Sequence, residues 1–406
     1  MSAPQFRNYI NGEWVGEATM ENRNPANTDE VVGLFVKGTS SDILAAAQAA
    51  QDAFPAWAAT SGPARGAFLF KVADILERRL EQIAAEMTRE EGKTLPEARG
   101  EVRRSINIFR YFAGEGARLP GIVAPSERER VHMFAFRKPL GVVGLITPWN
   151  FPSAIPAWKL APALIAGNTV VLKPASAAPL SAWRIIEACH EAGVPKGVVN
   201  YVAGPGGTLG EALVNAPPVR AISFTGSCAV GEWLHREASR RRLRIQLEMG
   251  GKNPTIVLAD CDFDMAVENV VNAAFFSTGQ KCTATSRAIV EEPIYERFLE
   301  ALVERTRKLK VGNGLDPSVH IGPAVDQAQL NTDLRYIEIG RKECGPPLTG
   351  GRRLTGGDYD RGYFVEPTIF AGVEPHHVLA QEEVFGPVLA VMKAKDFHDA
   401  LRIANN

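Results

Sequence analysis

The stretch GVVGLITPWNFPSAIPAWKLAPALIAGNTVVLKP, residues 141–174, decides the fold class. Its two ends, 142–146 and 169–172, are short apolar runs rich in β-branched residues, and a segment of helical length separates them. Parallel strands have this continuous apolar character when helices cover both faces of their sheet. The stretch therefore predicts a β-α-β unit.

The same alternation continues away from this unit. Further strand-like runs, each followed by a longer segment, occur at 198–202, 221–224, 244–247 and 255–258. Repeated β-α-β units predict an α/β fold with a doubly wound parallel sheet, which binds its ligands at the carboxyl ends of the strands. The fold class is thus expected to be α/β.

Other segments flank the sheet. Asn11-Gly12 between apolar residues is typical of a tight hairpin turn. Apolar residues spaced by three or four between residues 69 and 92 predict one amphipathic helix that ends near Gly92. Helices are also predicted at 263–276 and 294–309, with a loop-rich stretch at 345–357.

The composition indicates an ordinary globular protein. The 406 residues are 45% hydrophobic and 22% charged, and we expect them to form two lobes. A formal charge of -1 provides no field that would attract nucleic acid or a membrane surface, so small-molecule partners are favoured. The basic run at 240–244 is read as a helix end or solvated face rather than a nucleic-acid site. Without an evident signal peptide or membrane-spanning stretch, a cytoplasmic location is expected.

The cysteines and histidines do not form a metal motif. The sequence contains no C-x-x-C pair and no H-E-x-x-H pattern. We therefore expect no metal site and no disulfide framework. The five cysteines are Cys189, Cys228, Cys261, Cys282 and Cys344.

A candidate phosphate site follows the predicted strand 221–224. Gly226-Ser227, with Gly231 four residues after Ser227, opens a predicted helix, although the G-x-G-x-x-G and G-x-x-x-x-G-K-[ST] motifs are absent. Glycine lets the backbone approach a phosphate, and a helix N-terminus supplies free N–H groups. A strand-to-helix turn that needs glycine only for steric reasons is the alternative.

Three further side chains could carry chemistry. Asn150 lies between Pro148 and Pro152, and a stiff loop of this kind suits an oxyanion donor. Glu248 ends a predicted strand, where a carboxylate suits a general base. Cys282 lies among small and polar residues that could present its thiol. Taken singly, each has a plain alternative: a turn amide, a surface carboxylate and an inert cysteine.

The motifs resemble, in the same order, those of the NAD(P)-dependent aldehyde dehydrogenase superfamily, and the resemblance runs from Tyr9 to Asn406. The matching elements are Asn150, Lys173, Gly226-Ser227, Glu248-Met249-Gly250-Gly251, Cys282 and Glu382-Glu383-Val384-Phe385-Gly386-Pro387. The resemblance implies two doubly wound α/β domains with a small bridging hairpin. The implied boundaries are 1–117 and 137–247 for a dinucleotide-binding domain, 118–136 for a bridging and oligomerisation hairpin, and 248–406 for a catalytic domain.

The resemblance also implies a catalytic role for four residues. Cys282 would be the nucleophile, and the Asn150 amide with the Cys282 N–H would bind the oxyanion of the hemithioacetal. Glu248 would activate the water that hydrolyses the thioester. Lys159 matches a position that assists this proton path.

For the cofactor, NAD or NADP, the resemblance assigns Lys173 to the adenosine ribose and Ser227 to the pyrophosphate. Glu383 and Phe385 would bind the nicotinamide ribose and ring. Relatives that prefer NAD often carry Glu where this chain has Ser176, so NADP is expected to be accepted. The other residues expected to line the cofactor are Ile146, Thr147, Pro148, Trp149, Gly206, Phe224, Gly226 and Gly231.

Local variants at 155–159, 248–254 and 277–284 narrow the resemblance to dehydrogenases of 2-oxoglutarate semialdehyde (2,5-dioxopentanoate), with those of succinate semialdehyde next. Such substrates carry a distal carboxylate, which calls for a cation or clustered backbone donors. The candidate substrate residues are Phe151, Trp158, Arg110, Lys281 and Thr283.

Two other functions are weighed against aldehyde oxidation. An acylating dehydrogenase would pass the thioester to coenzyme A, but Glu248 as a water-activating base disfavours it. A non-catalytic member of the fold is the second, since relatives continue beyond Asn406 and the last part of the catalytic domain is expected to be missing. A full-length member is expected to form a homo-oligomer, a dimer or a tetramer.

Overall fold

The computed structural model describes residues 3–406, which pack as two compact units. The first unit contains the described residues up to Asn22, then Val31–Met87 and Arg99–Met249. The second contains Arg23–Glu30, Thr88–Ala98 and Gly250–Asn406. The domain boundaries inferred from the resemblance stay a prediction.

The strands of the described chain are β1 (Gln5–Phe6), β2 (Asn8–Ile10), β3 (Glu13–Val15), β4 (Ala18–Asn24), β5 (Asn27–Val36), β6 (Ile122–Pro125), β7 (His132–Ala135), β8 (Val142–Ile146), β9 (Thr169–Lys173), β10 (Val199–Tyr201), β11 (Val219–Thr225), β12 (Arg244–Glu248), β13 (Pro254–Val257), β14 (Arg287–Glu291), β15 (Thr368–Phe370) and β16 (Val388–Ala394).

The helices are α1 (Ser40–Ala59), α2 (Gly62–Arg78), α3 (Leu80–Glu91), α4 (Leu95–Glu115), α5 (Ala154–Ile165), α6 (Leu180–Glu191), α7 (Gly206–Asn215), α8 (Cys228–Arg240), α9 (Phe263–Phe275), α10 (Tyr295–Arg307), α11 (Gln327–Cys344), α12 (Val378–Gln381) and α13 (Phe397–Ala404). The predicted strands at 142–146, 169–172, 198–202, 221–224, 244–247 and 255–258 are therefore confirmed as β8 to β13, with ends that differ by at most two residues.

The main sheet of the first unit has the strand order β12-β11-β8-β9-β10-β2-β3. The first five of these strands are parallel, whereas β2 and β3 join antiparallel at one edge. The chain winds from β8 through β9 to β10, then returns to β11 on the other side of β8 and continues to β12. This reversal makes the sheet doubly wound and places its switch point between β8 and β11.

The residues of the central strands explain this arrangement. Val142, Val170, Val171 and Leu172 are fully buried, as expected for strands covered on both faces. At the antiparallel edge, Asn11 and Gly12 have φ of 52° and 83°, which confirms the predicted hairpin turn between β2 and β3.

The single helix predicted between residues 69 and 92 is wrong. The structure has two helices there, α2 and α3, separated at Arg79, whose φ and ψ are -105° and 11°. The Arg79 guanidinium forms ion pairs with Glu187 and Glu191 of α6 at this break. Apolar spacing missed it because the buried face continues across the break. Gly92 has φ of 99°, in keeping with the predicted helix end.

The second unit has a four-stranded sheet in the order β13-β14-β16-β15, and all its strands are parallel. Helix α9 and helix α10 agree with the predictions for 263–276 and 294–309 within two residues. Two parallel sheets with covering helices are the α/β architecture expected from the sequence.

The strands β6 and β7 form an isolated antiparallel hairpin within 118–136. Its apolar side chains are unusually exposed: Ile122 at 66%, Val123 at 71% and Phe134 at 58%. None of the helices in the described part of the chain combines the length and apolar character needed to cross a membrane.

Candidate active site

Four parallel strands of the first unit end at one edge, and the predicted site residues of this unit follow those ends. The register pairs Ile146 of β8 with Lys173 of β9 and with Phe224 of β11. It also pairs Thr225 of β11 with Glu248 of β12. The Asn150 loop, Lys173, Gly226 and Glu248 therefore meet at the carboxyl edge around the switch point, where doubly wound sheets bind ligands.

A chain of hydrogen bonds links Lys159 to Glu248 across this edge. Lys159 Nζ donates to Ser223 Oγ at 2.8 Å, and Ser223 Oγ donates to Gln246 Oε1 at 2.5 Å. Gln246 Nε2 in turn donates to Glu248 Oε1 at 2.6 Å. Burial lowers the pKa of Lys159 to about 8, against the opposing effect of the Glu248 charge. The network orients the carboxylate that the sequence indicated as a general base.

A side chain of helix α4 fixes the end of the loop that contains Asn150. One buried carboxylate oxygen of Glu101 accepts the backbone N–H groups of Ser153 at 2.8 Å and Ala154 at 3.0 Å. It thereby caps the start of α5, whose own N-cap residue, Ser153, provides no side-chain capping hydrogen bond. Asn150 is buried, whereas Trp158 on α5 is 43% exposed with the Arg104 guanidinium over its ring. Pro148, Trp149 and Phe151 are half-buried.

Lys173 at the end of β9 is a buried cation. No group among the described residues 3–406 pairs with its ammonium, and burial lowers the pKa of Lys173 to about 8. A Cβ placed on Gly206 would lie 3.6 Å from Lys173 Nζ, so the ammonium faces the first turn of α7. The buried Thr147 hydroxyl also lacks a partner within the described residues. Unsatisfied donors of this kind suit the ribose and phosphate oxygens of a dinucleotide.

The turn from β11 to α8 also suits a phosphate. Ser227 is the exposed N-cap residue of α8, and its side chain makes no capping hydrogen bond, so the first N–H groups of the helix stay available. A Cβ on Gly226 would lie 2.6 Å from the Phe224 ring. One on Gly231 would lie 2.5 Å from Met249 Sδ, so close packing requires both glycines.

The second unit contains Cys282, Glu383 and Phe385. Cys282 is half-buried and lies before β14, Phe385 lies before β16, and Asn253 directly precedes β13. They therefore occupy the amino edge of this sheet. Asn253 Nδ2 donates to the Cys282 carbonyl at 2.6 Å and to the Ala284 carbonyl at 3.0 Å, which anchors the thiol-bearing loop.

Glu383 and Phe385 belong to a tight loop. Glu383 Oε1 accepts the Gly251 N–H at 3.2 Å, and a Cβ on Gly250 would overlap the Glu383 carboxylate. Burial raises the pKa of Glu383, although the Gly251 N–H and the Lys252 charge oppose this rise. Phe385 has φ of 60°, a value that a bulky side chain rarely adopts.

The candidate substrate residues differ in their surroundings. Arg110 forms ion pairs with Asp74 and Glu77 of α2, so its charge is already compensated. Lys281 Nζ donates to the Asn272 carbonyl at 3.4 Å, and burial lowers the pKa of Lys281. Thr283 is exposed beside Cys282. Ser176 is exposed and donates to the Gly204 carbonyl at 2.8 Å.

The sequence reasoning missed Gln246, Ser223, Asn253 and Glu101. Gln246 could have been found from the sequence, because side chains two residues apart on a strand point to the same face and Glu248 lies two residues after it. Ser223 could be identified only from the register of β11 with β12, which pairs it with Gln246. Asn253 and Glu101 contact residues 29 and 52 positions away, respectively, which no local pattern indicates.

A doubly wound sheet whose carboxyl edge suits a dinucleotide, together with a thiol-bearing α/β unit, is typical of a dehydrogenase-like class of protein. The sequence model of the aldehyde dehydrogenase family matches residues 14–406, and the chain belongs to that family. The resemblance and the fold expected from the sequence are thus confirmed.

Two relatives and one solved structure illustrate this similarity. An alpha-ketoglutaric semialdehyde dehydrogenase of Bacillus subtilis is 49% identical over 404 residues, 99% of this chain and 83% of the relative. A 2,5-dioxopentanoate dehydrogenase of Saccharolobus solfataricus is 43% identical over 384 residues, 94% of this chain and 79% of the relative. The crystal structure of a betaine aldehyde dehydrogenase of Staphylococcus aureus in complex with NAD+ superimposes with a TM-score of 0.96 at 35% identity. That alignment covers 98% of this chain and 80% of the other.

Proposed function

We propose that the protein oxidises 2-oxoglutarate semialdehyde to the corresponding acid, with NAD or NADP as the oxidant. The choice of substrate rests on the two relatives described above, which are both named for the same compound, since 2,5-dioxopentanoate is alpha-ketoglutaric semialdehyde. Family membership over residues 14–406 supports the reaction class.

In the proposed mechanism, the Cys282 thiol gives its proton to solvent, and the thiolate Sγ bonds to the aldehyde carbon to form a hemithioacetal oxyanion. The Asn150 amide and the Cys282 N–H donate hydrogen bonds to that oxygen, where charge develops. A bound nicotinamide would supply the acceptor for the hydride that leaves the hemithioacetal carbon, and loss of this hydride would leave a thioester on Cys282. Glu248 then takes a proton from water, the hydroxide attacks the thioester, and the C–S bond breaks to release the acid.

The hydrogen bonds from Lys159 to Glu248 support the hydrolytic half of this reaction. Gln246 holds Glu248 Oε1, and the Lys159 ammonium orients Gln246 through Ser223. A fixed carboxylate can accept the proton of an attacking water without first reorganising. Hydrolysis is therefore favoured over transfer of the acyl group to coenzyme A.

The same proposal assigns the parts of the cofactor to individual residues. Lys173 and Ser176 would bind the adenosine end, with Gly206 nearby, and the α8 N-terminus at Ser227 the pyrophosphate. Ile146, Thr147, Pro148, Trp149 and Phe224 would line the pocket. Glu383 and Phe385 would hold the nicotinamide riboside.

Assembly into a homo-oligomer is part of the proposal. The hairpin of β6 and β7 exposes an apolar surface, and exposed surfaces of this kind are typical of protein interfaces. Light scattering after size exclusion should give the mass of a dimer or tetramer. Replacing both Phe134 and Phe136 by Ser should reduce it.

The experiment that tests the function measures production of the reduced nicotinamide with 2-oxoglutarate semialdehyde, succinate semialdehyde, betaine aldehyde and acetaldehyde. Each is assayed with NAD and with NADP, with and without coenzyme A. We expect the highest kcat/KM for 2-oxoglutarate semialdehyde, the free acid as product and no activity in Cys282→Ala. Activity that survives in Cys282→Ala, or an acyl-CoA product, would contradict the mechanism.

A further inference from the structure

Three consecutive residues of the second unit have a left-handed backbone. Ser277, Thr278 and Gly279 have φ of 55°, 57° and 67°. Glycine adopts this conformation freely, but Ser and especially the β-branched Thr do so only when their surroundings compensate for the strain. Cys282 follows three residues later, so the strained turn leads directly into the thiol-bearing loop.

The carboxylate of Glu97 compensates for this strain. Its Oε1 accepts the Ser277 backbone N–H at 2.6 Å and the Ser277 hydroxyl at 3.1 Å. Its Oε2 accepts the N–H and the hydroxyl of Thr94, the residue before α4, at 2.9 and 2.8 Å. The second set is a helix cap, which needs only one oxygen. The first set reaches across 180 residues of sequence and has no capping function.

Other contacts hold the turn and the loop on the remaining sides. Thr278 Oγ1 donates to the Gly322 carbonyl at 3.0 Å, and Gln280 Oε1 accepts the Val325 N–H at 2.9 Å. Asn253 fixes the Cys282 carbonyl. Because the carbonyl of Cys282 is anchored on one side, the direction of its thiol depends on the conformation of the backbone before Cys282.

We propose that Glu97 is a positioning residue for Cys282. Its carboxylate holds Ser277 in the left-handed conformation and thereby fixes the direction in which the loop presents the thiol. The importance of that thiol for aldehyde oxidation rests on the proposed function, whereas the positioning itself does not.

The substitution Glu97→Gln tests this inference, because its NH2 group must oppose an N–H of either Ser277 or Thr94. The rate of iodoacetamide alkylation at Cys282, followed by peptide mass mapping, needs neither aldehyde nor cofactor. We expect this rate and kcat to fall about tenfold, the scale of one charge-assisted hydrogen bond, with the KM for aldehyde unchanged.

A second substitution separates positioning from helix capping. Ser277→Gly adopts positive φ without strain, so the double variant Glu97→Gln/Ser277→Gly should recover most of both rates. A helix-capping role alone predicts no recovery. Glu81→Gln, an exposed carboxamide substitution at an ion pair with Arg99, is the matched control and should leave both rates at the parent value.

The proposal is overturned if Glu97→Gln alkylates at the parent rate or if Ser277→Gly restores nothing. If Glu97→Gln does not fold, Ser277→Ala removes only the hydroxyl hydrogen bond and should still slow alkylation about threefold. A parental rate in Ser277→Ala then overturns the inference. If the parent protein is alkylated at Cys282 but oxidises no aldehyde, the proposed function is refuted. The positioning role of Glu97 is then tested by the alkylation rates alone.

Discussion

Gln246 Nε2 donates a 2.6 Å hydrogen bond to Oε1 of Glu248, two residues further along β12. The same amide accepts from Ser223 Oγ and, at 3.4 Å, from Lys159 Nζ. One neutral side chain thus connects the buried ammonium to the exposed carboxylate.

Gln246→Leu should slow hydrolysis of the thioester. Without the amide, Glu248 loses its fixed orientation, so we expect kcat to fall about tenfold. The first turnover, measured as a rapid burst of reduced nicotinamide, should keep the parent rate because it precedes hydrolysis. Gln48→Leu, at an exposed glutamine on α1, is the control. An unchanged kcat, or an equally slow first turnover, would contradict this role.

Lys173 should make cofactor binding depend on pH. Because burial lowers the pKa of Lys173 to about 8, this side chain loses its charge as the pH rises through that value. An anionic dinucleotide binds the charged form better, so binding should weaken about tenfold from pH 7 to pH 9, following the protonated fraction. Calorimetry should detect proton uptake on binding near pH 8. Lys173→Met should remove the pH dependence, whereas the exposed Lys196→Met should keep it; a flat profile in the parent would refute this.

Ser176 should determine how well NADP is accepted. Its hydroxyl donates to the Gly204 carbonyl at the end of the pocket assigned to adenosine. A carboxylate at this position would repel a 2′-phosphate, so Ser176→Glu should lower kcat/KM for NADP about tenfold and leave NAD nearly unchanged. Ser176→Gln, of equal length and without charge, should have a much smaller effect. Equal Michaelis constants for NAD and NADP in both the parent and Ser176→Glu would count against this prediction.

The sequence predicted what depends on local pattern. The strands of the main sheet were predictable because buried parallel strands are continuously apolar, and the Asn11-Gly12 turn because it requires positive φ. The break at Arg79 was not, because its ion pairs with α6 bridge more than a hundred residues while the apolar spacing continues unchanged.

In the candidate site, too, some features are visible in the sequence and others depend on tertiary contacts. Thr94 and Glu97 have the spacing of a capping box, which is visible in the sequence. The contact of Glu97 with Ser277 is not, because it depends on how α4 packs against a distant turn. Motifs therefore predict candidate reacting groups, whereas long-range contacts such as that of Glu97 with Ser277 are seen only in the tertiary structure.

The contact between Gly386 and Asp333 gives a prediction about stability. A Cβ on Gly386 would overlap the Asp333 carboxyl group, which is fully buried on α11 with Oδ2 unpaired within the described residues. Gly386→Ala should therefore lower the free energy of unfolding by about 1–3 kcal/mol through overpacking. The loop that carries Phe385 should be the first to lose its conformation.

Removing the Asp333 carboxyl group should reduce the destabilisation that Gly386→Ala causes. In Asp333→Ala the space next to Gly386 opens, so the double variant Gly386→Ala/Asp333→Ala should be more stable than the sum of the two single changes by about 1 kcal/mol or more. Urea unfolding of all four proteins measures this coupling. Gly100→Ala is the control, because a Cβ on that glycine of α4 meets nothing within 4 Å and should be neutral or stabilising. Additive effects at Gly386 and Asp333 would show that the two residues do not constrain each other.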